Sequence, residues 1–105
     1  LYDAQEDAVN MAFVNHVLRS YPENIYFLND KAALLTAKGE KNEALKVLLQ
    51  LHNLAPNDDI VVANIATLSK ETGNKKQAIA FYKKLLKSAN EEFCNDAKRE
   101  LGLKW

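Results

Sequence analysis

Residues 25–58 read IYFLNDKAALLTAKGEKNEALKVLLQLHNLAPND, and residues 59–92 read DIVVANIATLSKETGNKKQAIAFYKKLLKSANEE. Gly39 is followed five residues later by Ala44 and seventeen residues later by Pro56. Gly73 is followed five residues later by Ala78, and Asn90 stands where a second Pro would. Gly39 to Gly73 and Ala44 to Ala78 are each offset by 34 residues. A fixed period of that size marks a stacked repeat, in which a unit too small to bury its apolar face alone uses its neighbour as the other wall.

Within each half the pattern is helical. Ile25, Leu28, Ala32 and Leu35 share one face of a helix predicted over 25–38, which Gly39 ends because glycine takes a positive φ without steric penalty. A helix over 41–55 turns Ala44, Leu45, Leu48, Leu51 and Leu54 inward, and Pro56-Asn57-Asp58 closes it and caps the next. The next, over 59–72, carries Val62, Ile65, Ala66 and Leu68 toward a core. Its valines and isoleucines would suggest a strand if read alone, and the 34-residue register decides for helix. Asn74 caps a fifth helix over 75–89 with Ala78, Ile79, Tyr82, Leu85 and Leu86 apolar.

Outward from this core, residues 3–20 contain neither Gly nor Pro. Ala8, Met11, Ala12, Val14, Val17 and Leu18 recur at helical steps, and Val9, Phe13 and Val17 form an adjoining row. The expectation is a first helix with a wide buried stripe, stopped by Tyr21-Pro22 and followed by Asn24 as the next cap. A sixth helix, from 91 to about 103, runs through Phe93, Ala97 and Leu101. The fold class expected is all-α, built of antiparallel helical hairpins.

Composition agrees with a folded single domain of 105 residues: 48% hydrophobic, 27% charged, three Gly and two Pro, too few breakers for an all-β protein. Fourteen bases balance fourteen acids, so nucleic acid is not expected as a partner, since phosphate binding needs a basic surplus on one face. Charge is nevertheless uneven. Residues 1–30 hold five acids and one base, and residues 70–105 hold nine bases and five acids. No apolar run is long enough to span a bilayer, so direct membrane insertion is not expected. A single cysteine, Cys94, forms no intramolecular disulfide and fixes no redox compartment. A chain beginning at Leu1 is expected to be a processed form or a fragment. Localisation stays open, cytoplasmic by weak default, with a periplasmic or membrane-tethered parent left open as the alternative.

Helix, Gly, helix, Pro at a 34-residue step resembles the tetratricopeptide repeat family. Two full repeats, 25–58 and 59–92, carry the likeness. The family's large apolar, small, Gly, Ala and Pro places hold Leu28, Ala32, Gly39, Ala44 and Pro56, then Val62, Ala66, Gly73, Ala78 and Asn90. Leu35 and Ser69 depart from it, standing where the family usually has Tyr, and neither repeat has its Trp. The resemblance implies a right-handed superhelix. Residues 1–21 would be a partial earlier repeat, with Asn10 and Gln5 at its Ala and Gly places, or a packing helix of other origin. Residues 93–105 would be a capping helix or half of a third repeat.

The resemblance further implies a concave groove, lined by the first helix of each hairpin, that binds a peptide or partner helix. Carried over by place, the partner-binding residues are Tyr26, Asn29, Asp30, Ala33 and Thr36, then Ile60, Ala63, Asn64 and Thr67, with Cys94, Ala97 and Lys98 from the last helix. Asn64 offers both a donor and an acceptor to a peptide backbone, or merely faces water. A subgroup that clamps chaperone C-terminal carboxylates uses two Lys, two Asn and an Arg. Here Asn64 matches and Lys98 stands for the Arg, but Asn29, Ala33 and Cys94 replace the rest, so that specificity is not expected.

No cofactor or metal is expected. His16, His52 and Cys94 lack ligand or nucleophile–base spacing, and the glycines are isolated. The five lysines Lys75, Lys76, Lys83, Lys84 and Lys87 read as a solvated face. The function expected is non-catalytic protein interaction. The alternative is an accessory region of a larger protein that packs on its own chain or forms a homodimer through an exposed end.

Overall fold

Helix starts are set by side-chain caps that recur at the same place in each half. The Asn24 side chain accepts hydrogen bonds from the Tyr26 and Phe27 N–H groups at 3.1 and 3.2 Å. Thirty-four residues on, Asp58 accepts from Ile60 and Val61 at 3.0 and 3.4 Å. Both satisfy donors that a helix N-terminus leaves without an intrahelical acceptor. A computed structural model describes residues 4–102. Six helices occur among them, and no strand: α1 (Ala4–Ser20), α2 (Ile25–Ala37), α3 (Lys41–Leu54), α4 (Asp59–Glu71), α5 (Lys75–Leu85) and α6 (Glu91–Leu101). Asp3 and Leu103, expected as the outer ends of the first and last helices, lie outside the described residues.

Chain contacts divide at Pro56 into two compact units. In the first, α2 packs on α3 and α1 packs on α2. The α2–α3 turn holds Gly39 at φ +88°. There the Gly39 N–H donates to the Thr36 carbonyl at 3.0 Å and the Glu40 N–H to that of Leu35 at 2.9 Å, the paired bonds of a Schellman cap. Leu28, Ala32 and Leu35 meet Ala44, Leu45, Val47, Leu48 and Leu51 in the core. Ala44 is fully buried, and its small side chain lets the two helices approach closely.

The wide buried stripe expected on α1 is corrected. Val14 is buried, whereas Val9 is 69% and Phe13 59% exposed, and Met11, Val17 and Leu18 are half-buried. The reason is the number of neighbours. With α2 as its main packing partner, α1 has one flank covered, and a row 100° or more round the helix from Val14 is left to solvent.

The second unit repeats the design. Gly73 takes φ +83°, and its N–H and that of Asn74 donate to the carbonyls of Lys70 and Ser69 at 3.2 and 2.8 Å. Val61, Val62, Ile65, Ala66 and Leu68 of α4 pack with Ala78, Phe81, Tyr82 and Leu85 of α5, and α6 packs on α5. Ser69 is also fully buried; its hydroxyl donates to Gln77 Oε1 at 2.9 Å and so links α4 to α5.

The halves part at their ends. The fifth helix, expected to reach Ala89, stops at Leu85. Beyond it the N–H groups of Leu86, Lys87 and Ser88 each donate to a carbonyl three residues back, tightening the chain out of the α-helix. Ser88 then fixes the turn. Its hydroxyl donates to Asp59 Oδ2 at 2.7 Å and accepts from the Asn90 N–H at 3.1 Å. Side-chain hydrogen bonds thus close the second hairpin, where Pro56 follows the first. Asn90 caps α6 by accepting from the Phe93 N–H at 3.3 Å. It lies 32 residues after Asp58, so α6 begins two residues ahead of the 34-residue period.

Candidate partner-binding face

The outward face of α2 is built by the same pattern that sends Leu28, Ala32 and Leu35 inward. Tyr26, Asn29, Asp30 and Ala33, at i, i+3, i+4 and i+7, are exposed together, Tyr26 by 78%. Thr36 lies one turn further on and is exposed, with its hydroxyl returned to the Ala32 carbonyl at 2.8 Å. All five α2 residues expected from the sequence therefore lie outside the α2–α3 core.

This face runs into a cleft between α1 and α2, with a volume of about 320 Å³, lined by Asn10, Phe13 and Val14 on one side and Phe27, Asp30, Ala33 and Leu34 on the other. Phe13 and Phe27 meet edge to face across it, ring centroids 5.9 Å apart at 64°. Such a pair is favourable in itself, yet leaves Phe13 more than half open to solvent. Asp30 and Ala33 join the α2 face to this cleft. The α1 side of it was not anticipated, because Phe13 was expected to be buried. The signal was present in the sequence as the Val9 and Phe13 row, but one helix's pattern does not say how many neighbours will cover it.

In the second unit, Ile60, Asn64 and Thr67 are exposed on one face of α4, Ile60 by 60%, and Ala63 is half-buried beside them. The Thr67 side chain neighbours the phenol of Tyr82, a buried α5 residue. Burial pushes the Tyr82 phenol above its ordinary pKa, with Thr67 opposing.

On α6 the two-residue advance has a consequence. Ala97, expected on the binding face, is fully buried; the 34-residue step aligns it with half-buried Ala63, but at a 32-residue step it falls at the depth of Ile65. Cys94 is half-buried, its thiol directed at the Leu86 carbonyl at 3.6 Å. Lys98 is exposed. Two residues on, Glu100, with a side chain 13% exposed, accepts from Lys70 Nζ through both carboxylate oxygens at 2.8 and 2.7 Å, tying α4 to α6. This bond to Glu100 raises the Lys70 ammonium above its ordinary pKa.

His16 is exposed on α1 and His52 half-buried on α3. Among the described residues no group of three or more His, Cys, Asp or Glu is placed to hold a metal ion, and no helix is long and apolar enough to cross a membrane. The lysines of α5 are exposed, with Lys84 Nζ 5.7 Å from the centroid of the Phe81 ring. No family model matches the chain, and no curated protein is similar enough to count as a match.

Proposed function

We propose that this chain is a non-catalytic protein-interaction module of tetratricopeptide type, which takes a peptide or helical segment of another protein on the first helix of each hairpin. The observation that carries the reading is the outward face of α2. It puts the aromatic Tyr26, the carboxamide Asn29, the carboxylate Asp30 and the small Ala33 side by side in solvent. That mixture of apolar contact, hydrogen-bonding capacity and close approach suits helix- or peptide-in-groove recognition. The exposed pair Ile60 and Asn64 on α4 supports it from the second hairpin.

The test is capture of partners by the wild-type chain and by the double variant Tyr26→Ala, Asn64→Ala. Both side chains are exposed, so the variant keeps the fold, and it is expected to lose its partners. Retention of every partner sinks the reading.

Exposed Val9 and Phe13 on α1 favour a second reading, in which the chain is an accessory helical region that packs on other parts of a larger protein or dimerises through α1. Concentration-dependent sedimentation that disappears in Phe13→Ser would support that reading over the first.

A further inference from the structure

Resting on the interaction-module reading, we propose that the cleft between α1 and α2 receives the apolar anchor of a basic peptide segment, whose lysine or arginine pairs with Asp30. The first support is size. A volume of about 320 Å³ lies at the foot of the range for small-molecule sites and suits one or two side chains. The second is the lining. Phe13, Val14, Phe27 and Leu34 are apolar, and Phe13 keeps 59% of its surface in solvent although it already touches Phe27. An anchor entering there removes exposed aromatic surface from water, the dominant gain at such hot spots.

The third support is charge, and it fixes the sign of the partner. Among the described residues, Asp30 is the one ionisable group in the cleft wall. A second cleft of about 360 Å³ on the other flank of α1, where Met11 and Ala12 lie, contains both Asp7 and Lys38 and so selects neither sign. The neighbouring Lys31 is half-buried and lies outside the cleft lining, so the charge presented there is that of Asp30. A carboxylate on the rim of an apolar cleft attracts a cation and repels an acidic competitor, which gives specificity more than raw affinity. Geometry adds a spacing rule. Phe27 and Asp30 are one turn apart on α2, so a helical partner presents its anchor and its cation three or four residues apart.

The experiment uses the intact, isotopically labelled chain and three short synthetic helix-forming peptides. One has a leucine or phenylalanine anchor one turn from a lysine, one has glutamate in place of that lysine, and one has serine in place of the anchor. Amide shifts on titration with the first peptide are expected at Phe13, Phe27, Asp30 and Ala33, with the glutamate peptide weaker by about tenfold. Asp30→Asn, an exposed and fold-neutral change, is expected to weaken the lysine peptide about three- to fivefold and to abolish the discrimination between the two charged peptides. Phe13→Ser is expected to abolish the cleft shifts. Equal binding of the lysine and glutamate peptides by the wild type overturns the proposal. Shifts confined to the α4 face around Ile60 and Asn64 overturn it too, while leaving the interaction module standing. No shift with any peptide overturns it as well, while the interaction module is decided separately by the capture experiment. Cleft shifts on concentrating the chain alone identify a second copy as the occupant and likewise overturn it.

Discussion

At φ +88° and +83°, Gly39 and Gly73 hold a backbone geometry that no other described residue adopts. An added Cβ would meet no atom within 4 Å at either position, so space is not what demands glycine there. The demand is conformational. Gly39→Ala and Gly73→Ala are each expected to destabilise the fold by about 1–2 kcal/mol, the cost of placing an L-residue in the left-handed region. Chemical denaturation of the two single variants measures this, and an effect near zero at either site would mean its Schellman turn rearranges freely. These glycines and their alanines were legible in the sequence because a local backbone requirement and a close approach each exclude most residue types. Ser69 was not. It was recognisable only as a departure, and its partner Gln77, across the turn on α5, follows from packing. Ser69→Ala removes the hydroxyl without adding volume and leaves the Gln77 carbonyl oxygen without this donor, an expected loss of about 1 kcal/mol in chemical denaturation.

Element boundaries were legible where a cap marks them and less so where side chains from elsewhere decide. Asn24, Asp58 and Asn74 announce the starts of α2, α4 and α5. The end of α5 depends on Ser88 reaching Asp59 on the preceding helix, a contact 29 residues apart that no local pattern encodes. Ser88→Ala is expected to cost about 0.5–1.5 kcal/mol and to speed amide exchange at Asn90, whose N–H donates to the Ser88 hydroxyl. Unchanged exchange there would show that the closure does not depend on Ser88. Lys70 is raised by its bond to Glu100 and Tyr82 by burial, so in both cases the folded state holds its proton more tightly than the unfolded chain. Stability from both is complete below their ordinary values of 10.5 and 10.0 and is lost as pH rises through the raised folded values. Denaturation midpoints are therefore expected to fall above about pH 10. Tyr82→Phe combined with Lys70→Met should flatten that fall.

Across the whole molecule, charge is balanced in total but divided along the chain. Residues 1–56 hold seven acids against five bases, and residues 57–105 seven acids against nine bases. Several of these charges meet in exposed pairs that contribute little to folding. The ion pairs Lys38–Glu40, Lys46–Glu43 and Arg99–Asp96, at 3.1–3.5 Å, have side chains 44–72% exposed, where water and salt leave them little net effect. Lys70–Glu100 is the exception, because its carboxylate is largely covered. The burden of stability falls instead on the apolar contacts of Leu28, Leu48, Ile65 and Leu85, which salt does not screen. Folding and recognition should therefore separate when ionic strength is varied. If the α1–α2 cleft draws a basic segment through Asp30, raising salt from about 0.05 to about 0.5 M shortens the screening length to a few ångströms and should weaken the lysine peptide several-fold. The denaturation midpoint should move little over the same range. Peptide affinity that holds constant while the midpoint shifts would reverse the assignment, placing the useful charge within the fold and leaving the exposed face of α2 to apolar contact alone.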